Sequence, residues 1–313
     1  MGQKSNAQEL TEEIAGLESR LHDARARLAA ASAPNGQVTL PHRPELETDR
    51  TQSEDHNDPR STANHALLLL SDSALPLGSF AYSNGLESYL AHNKPLPRSV
   101  TPVASFHGFL KLSVASVAST SLPYVLAAYR HPERLESLDN DLDASTPCVV
   151  AQRASVAQGR ALLSVWERSF RGTYAPKPRA TGDGPATAAV ESIEAFSDAL
   201  KSSLGNADEL APKGHFAPLW GAVCLAMGVD LQQVTYVFMV NHAKAVLSAA
   251  VRASVMGPYQ AQSVLASQGL QDTIAHRIEL EWETEVEDAG QVVPPLDLWV
   301  GRHELLYSRI FNS

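Results

Sequence analysis

The sequence predicts an all-α protein: a single multi-helix domain of roughly eight to ten helices, preceded by a coiled-coil-like helix and a disordered linker. Three observations carry this. Apolar residues recur at helical spacing through residues 65–313, strand-like alternation never runs beyond a few residues, and aromatics supply only 6% of a chain rich in Ala, Leu, Ser and Val. A β-sandwich draws more heavily on Tyr, Phe and Thr. With 313 residues and 44% hydrophobic content, the chain has material for one large domain or two ordinary ones.

Residues 1–32 read as an N-terminal amphipathic helix. Ala7, Leu10, Ile14, Leu17, Leu21, Ala24, Leu28 and Ala31 alternate at steps of three and four, and charges such as Glu12, Arg20 and Arg27 take the other faces. The alanines at core positions make the seam weak, suited to reversible pairing or docking. Residues 33–64 lose the pattern. Pro34, Pro41, Pro44 and Pro59 interrupt a polar stretch that buries too little to offset its ordering entropy, so it is expected to be a flexible linker.

The main domain, 65–313, is expected to start near His65. Leu67 to Leu70 run into Ser71-Asp72-Ser73-Ala74-Leu75-Pro76-Leu77-Gly78-Ser79-Phe80, and helical periodicity resumes at Tyr82 with Leu86, Tyr89 and Leu90 on one face. Ser79 is expected to cap that helix. Three prolines make 94–102 a loop. Val103 to Tyr129 is helical, kinked or divided at Pro123. Val149 to Phe170 turns Val156, Leu162, Leu163 and Trp166 inward, and the Gly- and Pro-rich stretch from Gly172 to Thr187 is a loop. Helices follow at Val190–Leu204, Phe216–Met227, Leu231–Val255 and Ala261 to about Trp282, with Asp230 as an N-cap.

The formal net charge is −10 and no cluster of Lys and Arg offers a groove for nucleic acid. Met1 to Leu10 is too polar for a secretory signal. Gly2 suggests myristoylation, but Asn6 stands where Ser or Thr is required. The longest apolar run, Val234 to Val251, is broken by Asn241, His242 and Lys244 and reads as a buried helix rather than a membrane span. Cys148 and Cys224 are expected to be buried thiols in a reducing, cytoplasmic setting.

Patterns for chemistry fail one by one. There is no phosphate-cradling P-loop. Gly78-Ser79 lacks the second glycine of a hydrolase elbow. Asp139-Asn140-Asp141-Leu142-Asp143 begins like a calcium loop, but Ala144 and Val150 stand where Gly and Glu are needed, so a solvated acidic turn is expected. An all-α metal-dependent enzyme using Asp139, Asp141 and Asp143 is the alternative. His215 and His242 lie among apolar residues and are expected to be hydrogen-bonded core groups; no metal site is read from the histidines.

Two stretches are distinctive: SDSALPLGSFAYSNGLE from Ser71 to Glu87, and RHELLYSRIF from Arg302 to Phe311. Both resemble the UreF family of urease accessory proteins. Arg153-Ala154-Ser155, Gln158-Gly159-Arg160, Gly214-His215-Phe216 and Leu247 to Arg252 fall between them in the family's order. Departures are Tyr82, where many relatives carry His, and Leu305-Leu306, where Thr-Gln is common. The resemblance covers about residues 65–313. It implies an all-helical, non-enzymatic chaperone or scaffold that forms a homodimer and assembles with UreD (also called UreH) and the GTPase UreG to deliver nickel to apo-urease. It implies no tightly bound cofactor, nickel being handled by the assembled complex.

Pro76, Gly78 and Phe80 are expected to fix a rigid turn, with Leu75 and Phe80 buried, leaving Ser71, Asp72 and Tyr82 for surface contact. In the tail, Arg302, His303, Glu304, Tyr307, Ser308, Arg309 and Phe311 are the candidate partner-binding residues. Ordering ten residues costs roughly 10–20 kcal/mol. Burying Leu305, Leu306, Tyr307, Ile310 and Phe311 returns about 1.5–3 kcal/mol each. The near-cancellation predicts a tail loosely held in the free protein and ordered on a partner.

Overall fold

The computed structural model describes residues 59–175, 184–203 and 211–312, all within a unit that spans His56–Ser313. The expected N-terminal helix of residues 1–32 and the linker up to residue 58 lie outside the described residues. Thirteen α-helical segments occur among those described, with no strand. They are α1 (Pro59–Ser71), α2 (Leu86–His92), α3 (Pro102–Thr120), α4 (Leu122–Arg130), α5 (Leu135–Ser145), α6 (Val149–Val165), α7 (Arg171–Tyr174), α8 (Pro185–Ser202), α9 (Phe216–Ala226), α10 (Leu231–Arg252), α11 (Pro258–Leu265), α12 (Gln268–Glu281) and α13 (Pro294–Arg302). The all-α expectation holds. The segments are more numerous than expected because the stretch expected as one helix from Ala261 to Trp282 is two, and a short helix such as α7 leaves little periodicity to read.

Helix α9 is the centre. Every residue from Ala217 to Ala226 is buried, as its all-round apolar sequence requires. It packs against α4, α6 and α8. Gly221 permits the closest approach, since a methyl there would overlap Val125 O and stand 3.0 Å from the Tyr129 nitrogen. Trp166, Trp220, Phe106 and Phe109 fill the core around it. The helices Pro102–Arg130 and Leu231–Arg252 are as long and apolar as membrane spans, but both lie largely packed inside this domain.

Local chemistry sets the boundaries. Thr101 caps α3, its Oγ1 accepting from Ala104 N–H at 3.1 Å ahead of Pro102. Pro123 falls in the first turn of α4, where its missing N–H costs nothing, and so divides the helix as expected. Asp230 caps α10 through the Gln232 N–H at 2.9 Å. Helix α1 begins at Pro59, upstream of the expected start at His65.

Four expectations need correction. Ser79 does not cap a helix: it opens a single 3-10 turn, Ser79–Ala81, behind Gly78 at φ 72°. Periodic structure resumes at Leu86 rather than Tyr82, because Asn84 (φ 52°) and Gly85 (φ 84°) are left-handed and cannot lie inside an α-helix. The stretch expected as one helix from Ala261 to Trp282 is broken, with Ser267 capping α12 through the Leu270 N–H. Residues Asp139 to Asp143 are not a solvated turn; they sit inside α5, with Asp139 fully buried.

Candidate docking site and the contacts that hold it

The first constellation centres on Asp139. Its carboxylate, on the same face of α5 as Leu135, Leu138 and Leu142, accepts the backbone N–H groups of Lys213 (2.6 Å), Gly214 (3.1 Å) and His215 (2.5 Å). The turn 213–215 thus presents its N–H groups to a single buried anion, and the charge is satisfied without a cation. Gly214 supports this turn at φ 87°. Gly159 on α6 makes room for it: a Cβ there would stand 2.6 Å from His215 C and 2.7 Å from Phe216 N. Arg160 Nε donates to Lys213 O at 2.7 Å.

A relay of hydrogen bonds continues from the turn. Phe216 N–H donates to Ser155 Oγ (3.2 Å), Ser155 Oγ lies 3.0 Å from His215 Nδ1, and His215 Nε2 lies 3.0 Å from Asp143 Oδ1. With Nε2 carrying the proton, every donor in this chain meets an acceptor. The Ser155 oxygen already accepts from the backbone and the imidazole is wholly buried, so the trio braces α5, α6 and the turn. His215 is therefore a hydrogen-bonded core group, as expected. The metal-enzyme alternative fails on the same geometry: Asp139 is saturated by backbone donors, and Asp141 accepts from Tyr124 Oη at 3.1 Å.

The second constellation joins the loop 72–85 to the C-terminal tail. Glu87, at the start of α2, accepts from His303 Nε2 (2.8 Å), from the Ile310 N–H (2.7 Å) and from the Phe311 N–H (3.2 Å). Arg252, at the end of α10, donates to Phe80 O and lies 4.3 Å over the Phe311 ring. Asn312 N–H donates to Ala81 O at 2.8 Å. Helix α6 reaches the tail through the Arg153–Glu304 ion pair. On the other side, Asn241 Nδ2 and Lys244 Nζ of α10 hold the end of α1, donating to Leu70 O (2.9 Å) and Ser71 O (2.7 Å). The motif segments of the sequence therefore meet in space, and several of their polar atoms are paired with one another.

Between these constellations lies a cavity of about 280 Å³, lined by side chains of the loop, α3, α5, α6, α9, α10 and α13. His242 faces it and pairs with Ser113 Oγ at 2.8 Å. Burial pushes the His242 imidazole down to about 4. Burial also pushes the Lys244 ammonium down and the Asp297 carboxyl up from their ordinary values.

The expected site residues divide into two groups. Asp72, Arg302, Glu304, Tyr307, Ser308 and Arg309 are exposed, and Ser71 and Tyr82 are half-buried. His303 and Phe311 are interior, at 0% and 5% exposure; in this conformation they anchor the tail instead of presenting themselves outward. The tail, expected to be loose, is docked on its own domain, because Glu87 supplies charge-assisted bonds that an apolar ledger leaves out. Pro76 and Gly78 stand exposed in the turn, while Leu75 and Phe80, expected to be buried, are half-buried on the cavity wall and Leu77 takes the core position. Leu298, Leu305, Tyr307 and Ile310 leave large apolar surfaces exposed along α13 and the tail.

Ser155, Gly159 and Arg252 enter the sequence analysis only within motifs, and Glu87 has no role there. A glycine inside a helix, and a carboxylate on the apolar face of α5, were the available signals for Gly159 and Asp139.

Fold and site together define an all-helical protein whose distinctive polar residues fix chain segments against each other, with no catalytic constellation among the described residues. Comparison with known proteins makes this specific. A UreF sequence model matches residues 100–268. A Schizosaccharomyces pombe protein described as an uncharacterized urease accessory protein UreF-like is 38% identical over 254 residues, spanning 80% of this chain and 98% of its own length. Urease accessory protein F of Oryza sativa subsp. indica is 31% identical over 77% of this chain and 82% of its own. That of Arabidopsis thaliana is 30% identical over 78% and 90%. The chain belongs to the UreF family, a family of urease accessory proteins rather than catalysts.

Proposed function

We propose that this chain is a cytoplasmic, non-enzymatic assembly factor that docks UreD and the GTPase UreG and so supports nickel insertion into apo-urease, acting as a homodimer. The single observation that carries this reading is the tail. Leu305, Tyr307 and Ile310 are 75%, 107% and 62% exposed, yet the backbone beneath them is pinned through Glu87 and Arg252. An exposed apolar strip on a fixed backbone loses little entropy on binding, which suits a recognition surface. Arg302 and Arg309 flank it with exposed guanidinium groups free to pair with carboxylates of a partner. Nickel and nucleotide then belong to the partners.

The test is complementation. In a urease-producing host lacking its own gene for this factor, the wild-type chain restores urease activity. A chain carrying Leu305→Asp and Ile310→Asp, with unchanged melting temperature, restores less than about a tenth of it, the loss expected for a displaced hot spot of about 1.4 kcal/mol or more. Full activity in the double variant would overturn the tail's role, and full activity in the host without any such chain would overturn the function.

A further inference from the structure

Two exposed stripes lie side by side next to the tail. On the outer face of α13, Leu298 and Arg302 are one turn apart, and Leu305 follows in the 3-10 turn that continues the helix. Leu298 is 64% exposed, and Arg302 and Leu305 are exposed with it. On α6, Val149 and Arg153 are likewise one turn apart, and Val149 is 62% exposed. Two contacts join the stripes. Cys148, directly before Val149, abuts Gly301, where an added Cβ would stand 3.6 Å from its Sγ. Arg153 pairs with Glu304, directly before Leu305. Val149 is therefore bracketed by contacts to the α13 side, and it carries the apolar surface of the tail onto a helix that packs against α9.

The charges on this face are not balanced. The one carboxylate, Glu304, is spent on Arg153, and among the described residues Arg134, Arg153 and Arg171 form ion pairs while Arg302 does not. In a chain of formal net charge −10, this is an apolar face edged by an unanswered guanidinium. A second copy docked face to face would set Arg302 against a like surface, with no free carboxylate on either stripe to meet it.

We propose that the docking surface extends beyond the tail into a two-helix face, with Val149 of α6 as a further apolar anchor beside Leu298 and Leu305. It fits a protein surface that is apolar at its centre and acidic at its edge, where carboxylates meet Arg302. That this partner is UreD rests on the docking reading above.

Calorimetric titration with purified UreD and thiol labelling of the full-length chain test this. Val149→Asp places a carboxylate in the first turn of α6, where the helix dipole favours it, so the variant is expected to keep its fold. It is expected to bind UreD about tenfold or more weakly than the wild type, as is Arg302→Glu. Saturating UreD is expected to slow maleimide labelling of the half-buried Cys148 about tenfold or more, read by mass spectrometry of the digested chain. Cys224, wholly buried in α9, is the unreactive control in the same sample. The labelling readout needs no substitution and decides the matter if Val149→Asp does not fold. Wild-type affinity in Val149→Asp, or unchanged labelling of Cys148 under saturating UreD, would overturn the two-helix face. If the Leu305→Asp, Ile310→Asp variant still loses binding in that case, the docking reading stands and the surface is confined to the tail. No binding of UreD to the wild type would remove the docking reading and this proposal with it.

Discussion

Asp139→Asn keeps the shape of the side chain and removes its charge, so it isolates what the buried anion does for the turn 213–215. In the folded chain both carboxylate oxygens are occupied by three N–H groups at 2.5–3.1 Å. An amide offers one oxygen, and its own NH2 meets the remaining N–H groups head-on. A hydrogen bond to a charged acceptor contributes about 1.5–3 kcal/mol, and an orphaned buried donor costs about 1–3 kcal/mol. Losing one or two such contacts therefore destabilises the fold by about 3–5 kcal/mol, a large share of the roughly 5–15 kcal/mol available to a domain. Urea unfolding at pH 7, followed by circular dichroism, measures it: the midpoint falls and the slope is unchanged. Gly159→Ala strikes the same turn from α6, so the double variant should lose measurably less than the sum of the singles. A loss below about 1 kcal/mol for Asp139→Asn, or strict additivity with Gly159→Ala, would refute the view that this carboxylate organises the turn.

Further predictions follow from the core and the tail. Gly221→Ala places a methyl against Val125 O and should cost about 1–3 kcal/mol by forcing α9 and α4 apart, measured as a lowered urea midpoint. His242 titrates near 4 when folded and near 6.5 when unfolded; the unfolded chain takes the proton first, so stability is intact above about pH 6.5 and declines towards pH 4, by up to about 3 kcal/mol. His242→Gln cannot titrate and should lose correspondingly less between pH 7.5 and 4.5 in the same urea assay. Amide exchange of the free chain should show the Ile310 and Phe311 N–H groups protected, and Glu87→Ala should abolish that protection while α9 stays protected.

What could be read in the sequence was what local chemistry decides. Pro123 and Asp230 act within their own turns, and the apolar run of α9 needs no partner to declare itself buried. What escaped was decided at long range. Asp139 has the look of a calcium-loop acid until the donors from residues 213–215 are seen, although its place on the Leu135–Leu138–Leu142 face marked it as interior. Glu87 reads as an ordinary helix-start carboxylate, and nothing near it in sequence says that the tail returns to it. Area and entropy alone nearly cancel for the tail; a carboxylate and a guanidinium from other helices tip that balance. The motif segments were visible as a resemblance, but only the fold shows the loop, α6, α10 and the tail brought together.

The central question is whether a partner sits on the exposed strip of the tail. The measurement is a titration of purified UreD against the wild-type chain and against the Leu305→Asp, Ile310→Asp variant, by calorimetry at matched stability. Saturable binding to the wild type with at least tenfold weaker binding to the variant is the predicted result, about 1.4 kcal/mol or more. Equal affinity for both chains would contradict it.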